Sequence, residues 1–107
     1  MKCKKTAIAI ATFVLVTFHA VCQNPEQLAD EAAKAYNSMH FDQAIKLYGK
    51  IIDKGYESAA LYYNLGNAYF RNDENAQAVL YYEKALKLSP NNSDIRHNIE
   101  VVNNRLT

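Results

Sequence analysis

Past residue 22 the chain has no cysteine; Cys3 and Cys22 are its only two. That excludes a disulfide framework and a thiol nucleophile from everything that follows. Histidine is scarce as well. His40 and His97 are the only ones beyond that point, far apart in sequence and read as solvated turn and surface residues. No Asp/Glu/His cluster has metal-ligand spacing, so no metal or other cofactor is expected. The three glycines form no rich loop after a strand, and nothing would cradle a phosphate. The acidic pairs Asp30-Glu31 and Asp73-Glu74 read as a helix flank and a turn, explained by solvation and helix-dipole complementarity rather than acid–base chemistry. An excess of one charge sign is absent too, since 12 basic and 11 acidic residues leave +1. With no basic patch, nucleic-acid binding has no support. No stretch alternates like a half-buried strand. The composition points away from an enzyme and from a small-molecule substrate.

What is present begins with a presequence. Lys2, Lys4 and Lys5 make a basic start, Ala7 to Phe18 an apolar run, and Ala20-Val21-Cys22 a small-x-small site before Gln23. This is the layout of a secretory signal peptide over residues 1–22, and the run is short for a membrane span. Cleavage is expected after Cys22. The chain is then exported to the periplasm or cell envelope, and losing the three lysines takes it to a charge near −2. The rival reading makes Cys22 the lipidated first residue of a lipoprotein, although Val21 and His19 fit that processing site poorly.

Residues 23–107 then read as one small all-α domain. Apolar residues recur at helical spacing from Leu28 to Tyr36, Phe41 to Ile52, Leu61 to Tyr69, Val79 to Leu86 and Ile95 to Leu106. Asn24-Pro25-Glu26-Gln27 offers a cap, a first-turn proline and a capping box. Gly55 suits a left-handed C-cap, and Ser58, Asn75 and Ser93 are placed to cap the third, fourth and fifth helices.

One segment carries more than periodicity. Tyr62-Tyr63-Asn64-Leu65-Gly66-Asn67-Ala68-Tyr69, followed by Ala78, Tyr82, Ala85 and Pro90, reads aromatic-x-x-Leu-Gly-x-x-Tyr, Ala-x-x-x-aromatic, Pro. It resembles the signature of the tetratricopeptide repeat (TPR), a helix–turn–helix unit of about 34 residues. Moved back by one repeat length, Ala78 falls on Ala44, Tyr82 on Tyr48, Phe70 on Tyr36 and Gly66 on Ala32. The expected architecture is therefore a helix–turn–helix solenoid of two repeats, about 25–58 and 59–92, with a capping helix at about 93–106. Ala32, Ala44, Gly66 and Ala78 are small where paired helices approach. Tyr48, Leu65, Tyr69, Tyr82, Ala85 and Pro90 complete the packing motif. Two repeats and a cap have a thin core that is marginal alone.

In TPR stacks the first helix of each pair lines a concave groove. The resemblance places Tyr63, Asn67, Phe70 and Arg71 there, with Ala29, Ala33, Tyr36 and Asn37 from the first repeat. Asn67 would bond a peptide backbone, Arg71 a carboxylate, and Tyr63, Tyr36 and Phe70 would grip apolar side chains. For Tyr36 and Phe70, packing between repeats is the competing reading. A narrower resemblance covers Gly55 to Glu100. Tyr62-Tyr63-Asn64-Leu65-Gly66-Asn67-Ala68-Tyr69-Phe70, Ala78 to Leu86 and Asp94 to Glu100 look like the exported TPR segment of Bat-type (aerotolerance-operon) proteins. It implies an envelope scaffold near membrane-bound von Willebrand A-type proteins, and the chain departs from that pattern in having no membrane segment after the repeats. The favoured function is a non-catalytic scaffold that binds proteins or peptides. The alternative is a peptide-binding chaperone or envelope-assembly factor, lipid-anchored at Cys22.

Overall fold

The computed structural model describes residues 23–106; the presequence read at 1–22 lies outside the described residues. Five helices follow one another: α1 (Pro25–Asn37), α2 (Phe41–Asp53), α3 (Ala59–Arg71), α4 (Asn75–Leu88) and α5 (Ser93–Leu106). No strand occurs among the described residues. Packing runs mainly between successive helices, α1 on α2, α2 on α3, α3 on α4 and α4 on α5. The architecture is an all-α solenoid of stacked helix pairs with a fifth helix after them.

Local chemistry sets the boundaries. Asn24 Oδ1 accepts from the Gln27 backbone at 2.8 Å while Gln27 Oε1 accepts from the Asn24 backbone at 3.3 Å, a closed capping box before Pro25. Ser58 Oγ caps α3 through the Leu61 amide at 3.0 Å. Two cap expectations are corrected. Asn75 is the first residue of α4, which has no side-chain cap, and its Oδ1 is buried without a partner. At α5 the cap is Asn92, not Ser93: Asn92 Oδ1 accepts from the Asp94 and Ile95 amides at 3.0 and 3.2 Å. Pro90, just before, gives its carbonyl to Arg96.

The repeat is written in the backbone as well as in the side chains. The turn inside the first pair places Met39 at φ 65°, and the turn inside the second places Asp73, one repeat length on, at φ 63°. The bonds match too. His40 N donates to Ala35 O at 2.8 Å, and Glu74 N to Tyr69 O at 2.9 Å. Gly55 takes φ 96° after α2, the left-handed conformation glycine tolerates best.

Two apolar clusters form the core. The first joins Leu28, Ala32, Ala44, Leu47, Tyr48 and Ile51 to Leu61, Leu65 and Ala68 of α3. The second joins Tyr62, Ala78, Tyr82 and Ala85 to Ile95 and Val102 of α5. Ile52, Tyr69 and Tyr81 touch both, so the two pairs share a wall. At Gly66 the helices meet most closely, since a Cβ there would lie 2.7 Å from the Tyr82 ring. Of the apolar face expected on α5, Ile95 and Val102 are buried, but Leu106, the last residue of the helix, is 50% exposed.

Candidate functional site

α1, α3 and α5 are successive first helices, and comparing the two steps between them defines the site. At the second step, from α3 to α5, the space is filled. Tyr82 Oη donates to Asn67 Oδ1 in a short bond. Asn98 Nδ2 donates to Tyr63 Oη at 3.1 Å and to Asn67 Oδ1 at 3.4 Å. The Tyr63 and Tyr82 rings stand 5.8 Å apart. Tyr82 is 1% exposed and its pKa is raised, first by burial and then by neighbouring Tyr63, with the Asn98 bond pulling the other way.

At the first step, from α1 to α3, the same positions are emptier. One repeat length back from Tyr63 and Asn67 stand Ala29 and Ala33. A cleft of about 190 Å³ opens there, lined by Ala33, Tyr36, Asn37, Tyr48, Asn64 and Asn67. No charged residue lines it. Tyr48, the counterpart of Tyr82, is 5% exposed and its pKa is raised, mainly by burial and next by Tyr36. Asn64, the counterpart of Asn98, is exposed.

The expected groove residues separate accordingly. Tyr36 and Asn37 line the cleft directly. Asn67 lines it too, but its carboxamide oxygen is taken by Tyr82 and Asn98. Tyr63 is half-buried beneath Asn98, and Phe70 is half-buried with the Arg105 guanidinium 4.7 Å from its ring centre. Arg71 is exposed and lies over aromatic rings of the first repeat. Its guanidinium lies 4.8 Å from the Phe41 ring and 5.8 Å from that of Tyr36, whose own rings meet edge-to-face at 5.3 Å. Arg71 and Arg105 are one repeat length apart, so this is a recurring clip between repeats. Beside it Asn72 Nδ2 reaches Asp42 Oδ1 at 2.8 Å.

Asn64 and Tyr48 are the members of the site that motif reasoning passes over, Asn64 as an unremarkable motif position and Tyr48 as pure packing. Extending the repeat shift into α5, where Asn64 falls on Asn98, is the signal that finds them. Among the packing residues, Ala32, Ala44, Ala78 and Ala85 are fully buried, and Leu65 and Gly66 are buried beside them. Tyr69 stacks on Tyr81 at 5.6 Å and 11°. Among the described residues no group of three His, Cys, Asp or Glu is placed to hold a metal, and no helix is long and apolar enough to cross a membrane.

With the geometry in place, comparison with known families gives one finding. Residues 59–92 match the tetratricopeptide repeat. No curated protein matches the chain. Repeats of this kind bind other proteins or peptides and are typically non-catalytic.

Proposed function

We propose that the chain is a non-catalytic scaffold of the bacterial cell envelope that holds a partner protein in the cleft between α1 and α3. The observation that carries this is the contrast between the two steps of the solenoid. The second is filled by Tyr63, Asn67, Tyr82 and Asn98, whereas the first, with alanines at 29 and 33, leaves an uncharged opening of about 190 Å³. A rigid concavity lined by amide and phenol groups suits a protein segment, with backbone and side-chain hydrogen bonds on offer.

The presequence of residues 1–22 supports export, and the Gly55–Glu100 resemblance supports membrane-bound von Willebrand A-type envelope proteins as the first partners to test. A photo-crosslinking residue placed at Asn64 in cells should capture one discrete protein that the same residue at Lys46, exposed on α2 away from the cleft, does not. Equal capture at both sites, or none at Asn64, sinks the cleft reading. Mass spectrometry of the mature amino terminus tests the location: a chain beginning at Gln23 supports signal-peptide cleavage, and an acylated Cys22 replaces it with a lipoprotein.

A further inference from the structure

Residues one repeat length apart differ between the two steps of the solenoid in one chemical respect. At the filled step a single carboxamide oxygen, Asn67 Oδ1, accepts from the Tyr82 hydroxyl and from Asn98 Nδ2. At the open step both donors are present again, as the Tyr48 hydroxyl and the Asn64 side chain, and both line the cleft. The acceptor is missing, because Ala33 stands where Asn67 would. Among the described residues neither Tyr48 nor Asn64 makes a side-chain hydrogen bond to another. Tyr48 is 5% exposed as a residue, it lines the cleft, and its hydroxyl has no protein acceptor among the described residues. A hydroxyl facing a cleft without a protein acceptor is free to donate to an incoming one.

We infer that the cleft takes the side-chain carboxamide of an asparagine or glutamine from a partner segment, its oxygen held between the Tyr48 hydroxyl and the Asn64 amide as Asn67 is held between Tyr82 and Asn98. This rests on the cleft being the partner site and names the group it selects. A carboxylate offers the same oxygens but brings a charge into an opening with no cation on its lining, which penalises it. A main-chain carbonyl lacks the side-chain reach that the Asn67 oxygen has at the filled step.

The test uses the full chain and three capped pentapeptides, Gly-Gly-Xaa-Gly-Gly with acetyl and N-methylamide ends and Asn, Asp or Ala at the centre. Only the asparagine peptide then carries a primary carboxamide. By NMR titration it should shift the Asn64 side-chain amide and bind about tenfold more tightly than the alanine or aspartate peptide, the ratio expected for about two neutral hydrogen bonds. Asn64→Ala and Tyr48→Phe should each remove most of that preference. Ala33→Asn, which installs the missing acceptor in the chain itself, should abolish binding and raise the melting temperature by roughly a few degrees. Equal binding of the asparagine and alanine peptides overturns the inference, as does tighter binding of the aspartate peptide or undiminished binding by Ala33→Asn. Because Asn64 is exposed, Asn64→Ala keeps the test open if a buried substitution fails to fold. A partner still captured by the crosslinker at Asn64, with no carboxamide preference, leaves the proposed function standing and removes only this assignment.

Discussion

Gly66 and Gly49 occupy helix interiors for different reasons. A methyl at Gly66 would sit 2.7 and 2.8 Å from two carbons of the Tyr82 ring, and that ring is pinned by burial and by its bond to Asn67. A methyl at Gly49 meets nothing within 4 Å. Gly→Ala in a helix gains up to about 1 kcal/mol from backbone propensity, while overpacking costs roughly 1–3 kcal/mol. Gly66→Ala should therefore lower stability and Gly49→Ala raise it, as read from chemical-denaturation midpoints; a shared sign would refute the close-approach account. The tyrosines add a pH dependence at the same scale. Burial raises the pKa of Tyr48, Tyr62, Tyr69 and Tyr82, with the Glu57 bond adding to the effect at Tyr62 and neighbouring Tyr81 at Tyr69. The folded state therefore favours the neutral phenols. Their contribution is intact below the ordinary tyrosine pKa of about 10 and is lost as pH rises above it, by about 1.4 kcal/mol per pH unit for each phenol that ionises only on unfolding. Unfolding followed by tyrosinate absorbance should show stability falling steeply above that pH, and Tyr48→Phe should flatten the fall.

At the scale of the element, helix ends and helix faces were unequally legible. Five helices could be read because the Ala44–Ala78 and Tyr48–Tyr82 correspondences repeat a pattern that periodicity alone already suggested. The caps at Asn24 and Ser58 follow from local sequence, since their bonds close within three residues. The cap of α5 did not, because Asn92 and Ser93 are adjacent and equally suited by type. Only the fold shows that Asn92 reaches both the Asp94 and Ile95 amides. Asn92→Ala should cost about 1 kcal/mol and Ser93→Ala much less, measured as the difference in their melting temperatures. The partner-facing chemistry was less legible still. Arg71 and Asn67 look like free recognition groups on a helix face, yet Arg71 lies over the Phe41 and Tyr36 rings and the Asn67 oxygen is taken by Tyr82 and Asn98. Asn64 looks ordinary, and becomes distinctive only because Ala29 and Ala33 stand across from it. Nothing local to any of these residues records that difference.

For the whole molecule, stability follows from a line of neighbours rather than from one central core. α2, α3 and α4 pack on both sides, whereas α1 and α5 pack mainly on one. In such an array local opening begins at the ends and the middle is protected longest. Native-state hydrogen exchange should rank α3 amides slowest, with α1 and α5 faster; slowest exchange in α1 would contradict the linear picture. The clips between repeats link these units. Replacing Arg71 with alanine removes its contact with Phe41 and Tyr36, and should cost about 0.5–1 kcal/mol while leaving Asn64 exposed as before.

The polar outer face of α5 has a consequence for assembly. One repeat length on from Tyr62, Gly66 and Tyr69, the face that received α4 carries Arg96, Glu100 and Asn103 on α5, all exposed. The matching face of α3 is apolar and packs on α4, whereas this face of α5 is polar and solvated. Arg96→Tyr with Glu100→Gly and Asn103→Tyr would turn a solvated face into an adhesive one. The altered protein should then associate in a concentration-dependent way that the parent does not, visible by light scattering, and a variant that associates no more than the parent would show that the polar face is not what keeps copies apart.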